Sequence, residues 1–205
     1  MSELSSPKLR PSHLRQYALI TGNYWAFTLT DGALRMLVVL HFHSLGYDAL
    51  QIALMFLFYE LFGVITNLLG GYLGARIGLN RTMNIGLGLQ LIALSMLLVS
   101  PHLLTVAWVM AAQAISGIAK DLNKMSAKSA VKVLAPTGEG TSLYRWVALL
   151  TGSKNALKGV GFFLGGALLN GFGFSSSVLI MLLGLAGVWL LSLVSVLAGI
   201  FSLYI

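Results

Sequence analysis

The chain contains no cysteine, which excludes disulfides and thiolate metal sites. It also has little charge: 9% of its 205 residues are Asp, Glu, Lys or Arg, against about 25% in soluble domains. With 57% hydrophobic residues and a mean hydropathy of +0.86, the composition is that of an integral membrane protein. Acids are the scarcer sign, 6 against 13 Lys and Arg. The bases cluster between apolar runs, so the excess follows a membrane and implies no nucleic-acid partner. The Gly-x-x-x-x-Gly-Lys-Ser/Thr loop is missing, which argues against ATP-driven transport by this chain alone. No nucleophile-and-base pair or metal cluster is evident, so the sequence assigns no catalytic residue, metal or cofactor and predicts no enzyme activity. His41 and His43, two apart, do not share a helix face and read as interfacial histidines.

What is present is a set of apolar runs. Residues 1–16 read as a cytoplasmic basic arm. Hydropathy then predicts an all-α membrane protein of six transmembrane helices over about 17–42, 50–73, 82–99, 103–122, 143–169 and 178–203, with a cytoplasmic loop over 123–142. Lys and Arg occupy the arm and the second and fourth connections and are absent from the first, third and fifth, which predicts both termini on the cytoplasmic side of a cell (inner) membrane. At an offset of 95 residues, Ile20-Thr-Gly22 matches Ile115-Ser-Gly117. At the same offset, Leu69-Gly-Gly-Tyr-Leu73 with Gly78 matches Leu164-Gly-Gly-Ala-Leu168 with Gly173. Copies three helices apart insert in opposite senses, so the expected architecture is a 3+3 inverted repeat.

Ionisable residues inside such runs are costly, about 2.5 to 3.5 kcal/mol each at mid-depth, and need a partner or a wet cavity. On the first run Tyr24, Thr28, Asp31 and Arg35 fall on one helical stripe. On the second, Glu60, Asn67, Gly71 and Gly74 share a stripe. Glu60 there is either a protonated packing residue or a proton-coupling or gating acid. On the fourth, Gln113, Gly117, Lys120 and Lys124 align, with Asp121 and Lys128 beyond, forming either a solvated basic end or an electropositive funnel for an anion. On the fifth, Lys154 and Lys158 align with Gly161 and Gly165. A helix starting near Leu143 would put Lys154 about 16 Å deep, whereas a start near Gly152 would leave both lysines at the interface. The third run carries only Asn84 and Gln90 as amides, and no charge follows Lys158.

The segment Gly71-Tyr-Leu-Gly-Ala-Arg76-Ile-Gly78-Leu-Asn-Arg81 resembles the loop signature of the major facilitator superfamily, Gly-x-x-x-Asp-Arg-x-Gly-Arg-Arg/Lys, in Gly71, Arg76, Gly78 and Arg81, with Ala75 replacing the Asp. Gly161-Phe-Phe-Leu-Gly165-Gly166 resembles the superfamily's antiporter signature, with Phe162 replacing its proline. More specifically, Asn23-Tyr-Trp-Ala-Phe-Thr-Leu-Thr-Asp-Gly-Ala-Leu-Arg35, His41-Phe-His43-Ser-Leu-Gly46, Phe58-Tyr-Glu60-Leu-Phe-Gly63 and Gly117-Ile-Ala-Lys-Asp-Leu-Asn-Lys-Met-Ser-Ala-Lys128 resemble the organoarsenical efflux permeases of that superfamily.

This resemblance implies an N-terminal six-helix half of a transporter that exports 1-arseno-3-phosphoglycerate or a similar organophosphate anion in arsenate resistance. It also implies a functional link to a glyceraldehyde-3-phosphate dehydrogenase that makes the cargo, and pairing with a second half or with itself. Arg35, Lys154, Lys158, Tyr24, Gln113 and Lys120 would then bind substrate, while Asp31, Glu60 and Asn67 would couple protons or gate. Two other readings stay open: a transporter half for another anionic or drug-like cargo, and a truncated, non-transporting membrane subunit.

Overall fold

A computed structural model describes residues 11–134 and 140–201, and every regular element in it is helical. The elements are α1 (Pro11–Ser44), α2 (Ala49–Met55), α3 (Leu57–Ile77), α4 (Leu79–Met96), a 3-10 turn (Pro101–Leu103), α5 (Val106–Leu134) and α6 (Gly140–Phe201). The arm expected over 1–16 lies outside the described residues up to residue 10, and α1 already runs from Pro11. The loop expected over 123–142 is helical through Leu134, and its residues 135–139 lie outside the described residues, as do 202 and 203 of the sixth run.

Local chemistry sets the helix ends. α1 stops where Gly46 takes φ +89°, a conformation that a side chain would resist. There the Gly46 amide donates to the His43 carbonyl at 3.0 Å and the Tyr47 amide to the Phe42 carbonyl at 3.2 Å, a Schellman pairing. Asp48 then caps α2: its carboxylate accepts from the Gln51 amide at 2.8 Å, while the Gln51 side chain accepts from the Asp48 amide at 3.0 Å. Phe56 separates α2 from α3 without turning the chain back. A single residue, Gly78, joins α3 to α4. Gly78 and Gly173, 95 residues apart, both carry positive φ and both interrupt helix.

Helix α5 is the hub, packed against α3, α4, α1 and α2, while α1 lies along α6. The core gathers Phe27, Leu34, Leu37, Met83, Leu87, Leu94 and Val109, all nearly inaccessible. Asn23 ties three helices together, donating to Ser192 Oγ at 2.8 Å with Met83 Sδ at 3.8 Å.

The six crossings predicted from sequence are not found. Among the described residues two helical stretches are long and apolar enough to cross a membrane, Ala49–Tyr72 and Val147–Ser195. The first coincides with the run expected over 50–73. The second holds the fifth and sixth expected runs, two helical segments separated by the non-helical backbone of Gly173 (φ 75°, ψ 179°). The other three fall short because their polar residues dilute them. Asp31 and Arg35 interrupt α1, Asn80, Arg81, Thr82 and Asn84 open the 18-residue α4, and Lys120, Asp121, Lys124 and Lys128 occupy the second half of α5. The 3+3 arrangement and the half-superfamily architecture, which presuppose six crossings, fall with that count.

Candidate functional site

The polar stripes converge on one cavity of about 150 Å³, lined by Tyr24, Phe27, Thr28, Asp31 and Arg35 of α1, Glu60 of α3, Lys120 and Lys124 of α5, and Lys154 and Lys158 of α6. That is several times the roughly 30 Å³ that one water occupies in the liquid. Neither α4 nor the part of α6 beyond Gly173 contributes to the lining.

Backbone contacts at small residues bring these elements together. A Cβ on Gly117 would overlap the backbone of Tyr59, so α5 rides directly on α3 one turn before Lys120. Likewise a Cβ on Gly161 would lie 2.6 Å from the Leu29 carbonyl oxygen, and one on Gly32 2.9 Å from that of Lys158. Lys158 is thereby held beside the turn that carries Asp31 and Arg35. Because α6 is helical from Gly140, Lys154 lies about 21 Å along it, and a helix start near Gly152 is excluded.

The charges are unevenly matched. Arg35 Nη2 reaches Glu60 Oε1 at 2.9 Å, and Lys120 Nζ reaches the other oxygen at 3.3 Å. Buried Asp121 takes Lys124 at 3.2 Å and Lys120 at 3.7 Å. Among the described residues, Lys154 and Lys158 have no carboxylate within 4 Å, and Lys158 Nζ stands 5.7 Å from the Phe162 ring centre. Asp31 is 7% exposed and, among the described residues, pairs with no cation at that distance. Its carboxylate accepts from the Tyr59 hydroxyl, at 2.7 Å to Oδ1 and 2.9 Å to Oδ2. The Tyr59 ring in turn receives the Arg35 guanidinium at 4.5 Å and Lys120 Nζ at 4.1 Å. A cavity with five cations to two carboxylates, two of its ammonium groups unneutralised, is chemically suited to a small oxyanion.

Of the residues singled out from sequence, Tyr24, Asp31, Arg35, Glu60, Lys120, Lys154 and Lys158 meet here. Glu60 has partners for its charge, which the packing reading supplied with a proton. Two residues do not join. Gln113 is buried one turn before Gly117 and its Nε2 makes no hydrogen bond among the described residues, while Asn67 is exposed on α3. The loop-signature residues lie apart from the cavity. Gly71 and Arg76 belong to α3, Gly78 is the link, and Arg81 is exposed at the start of α4. Arg76 donates to the Tyr72 hydroxyl at 3.1 Å. His41 stacks on Phe174, with ring centres 4.1 Å apart.

Sequence reasoning passed over Tyr59, the residue that links Asp31 to both cations. Its signal was available: a hydroxyl in an apolar run, one turn before Gly63 on the face that approaches α5. Compared with protein-family models and with curated protein sequences, the chain matches none.

Proposed function

We propose that the chain is a membrane transport component whose cavity carries a small oxyanion. In the terms of the resemblance above, the cargo is an organoarsenical or organophosphate such as 1-arseno-3-phosphoglycerate. The observation that carries this reading is the convergence of Arg35, Lys120, Lys124, Lys154 and Lys158 on one cavity with Lys154 and Lys158 unneutralised. Arg35 adds a donor to spare, since its buried Nε has no hydrogen-bond partner among the described residues. Its planar fork suits phosphate and arsenate oxygens.

A bilayer fits the outer surface. Only 22% of the most apolar 18-residue stretch of the first candidate span and 28% of that of the second is buried, and the spans present Leu57, Leu61, Leu68, Phe163, Leu183 and Leu191 outward. The core helix of a soluble domain would hide such residues. In this reading the chain is a multi-pass protein of the cell membrane with both termini cytoplasmic. A second copy or a partner chain would complete the transport path. Arg35 would hold the oxyanion with the lysines, and Asp31 or Glu60 would take a proton to reset the cavity.

The test is arsenate resistance in an arsenic-sensitive cell making this chain together with a glyceraldehyde-3-phosphate dehydrogenase. Resistance that requires both proteins supports the reading. A membrane-inserted chain that confers none, alone or with a partner, favours another anionic or drug-like cargo or a non-transporting subunit.

A further inference from the structure

We propose that Glu60 is a tethered competitor for the oxyanion site: its carboxylate occupies Arg35 and Lys120 when the cavity is empty and yields them to an incoming anion. This rests on reading the cavity as an oxyanion site and adds how that site is regulated.

The acids around the cavity are held very differently. Asp31 is buried and bonded to Tyr59, and Asp121, with its side chain 5% exposed, is enclosed by two lysines. Glu60 is 60% exposed and is held by the two cations, one at each oxygen. A carboxylate bridging an Arg and a Lys in this way already has the contacts of a bound oxyanion. Glu60 itself lines the cavity, so a carboxylate that releases the two cations can turn into the cavity's water rather than into the bilayer. The cations, in contrast, stay in place. Arg35 rests against Phe56 at 5.5 Å and Tyr59 at 4.5 Å, and Lys120 lies over Tyr59. An anion with two or more free oxygens can therefore take the two positions that Glu60 vacates, with Lys154 and Lys158 adding charge. Apparent affinity is lowered by the fraction of time Glu60 occupies the cations, and ligands too weakly charged to displace it are rejected.

The experiment is titration of the full chain in lipid nanodiscs with inorganic phosphate at low salt, followed by calorimetry, with helical circular dichroism to verify folding. Glu60→Gln should bind phosphate about five- to tenfold tighter than the unaltered chain, the size expected for releasing two partly exposed ion pairs. Glu60→Asp keeps the charge but draws the carboxylate back by one methylene, so it should fall between the two. Equal affinity of Glu60→Asp and the unaltered chain would mean that only the long-range field matters, and would overturn the proposal. Phosphate binding by the unaltered chain with no tightening in Glu60→Gln would overturn the competitor and leave the oxyanion site standing. Binding by neither would overturn both. Should Glu60→Gln fail to fold, the comparison with Glu60→Asp decides alone.

Discussion

Replacing Tyr59 by Phe removes one oxygen and leaves the ring on which Arg35 and Lys120 rest. Asp31, 7% exposed, loses the hydroxyl that lies 2.7 Å and 2.9 Å from its two oxygens. A hydrogen bond to a carboxylate contributes about 1.5 to 3 kcal/mol, and in a chain of this size each kcal/mol shifts the melting temperature by about 2 to 4 °C. The expected loss is therefore about 3 to 12 °C in nanodiscs, measured by circular dichroism. In an Asp31→Leu background the same substitution should cost almost nothing, because the partner is gone. A Tyr59→Phe chain that melts within a degree of the unaltered protein, or an equal loss in both backgrounds, would refute the link between α1 and α3.

Other outcomes follow from the same contacts. Gly117→Val should destabilise by about 1 to 3 kcal/mol, since its side chain meets the Tyr59 backbone. Gly22→Ala, with nothing within 4 Å of the added Cβ, should be neutral or better in the same denaturation series. Asp48→Ala removes the carboxylate that accepts from the Gln51 amide, leaving the backbone amide of residue 48 bonded to the Gln51 side chain, and should cost about 1 kcal/mol, read from the unfolding midpoint. Lys154→Gln with Lys158→Gln should weaken phosphate binding at least tenfold and flatten its dependence on salt; unchanged binding would place the anion elsewhere.

The candidate site was legible where it depends on one helix at a time. Tyr24, Asp31 and Arg35 follow one another at 100° per residue on α1, as Lys154 and Lys158 do on α6, so continuity of those helices was enough to aim each set in one direction. A stripe does not say whether a neighbour covers it. Glu60 and Asn67 share a stripe on α3, but Arg35 and Lys120 flank the first, whereas α5 runs along the line of Tyr59, Gly63 and Gly70 and leaves Asn67 outside. The Tyr59–Asp31 bond spans two elements and 28 positions, which no local pattern encodes.

The all-helical class was legible from composition, while the number of crossings was misjudged. Length was counted as enough even where Asp31 and Arg35, Asn84 and Gln90, or Lys120 and Asp121 dilute a run. The last two apolar runs are divided at Gly173, whose non-helical backbone falls inside the connection expected over 170–177.

The central claim is that these cations serve one anion path. The most direct test is arsenic appearing outside cells that make this chain with the dehydrogenase, compared with the Arg35→Ala chain at equal membrane abundance. The account predicts export by the unaltered chain and at least a tenfold drop in the variant. Undiminished export by Arg35→Ala would contradict it.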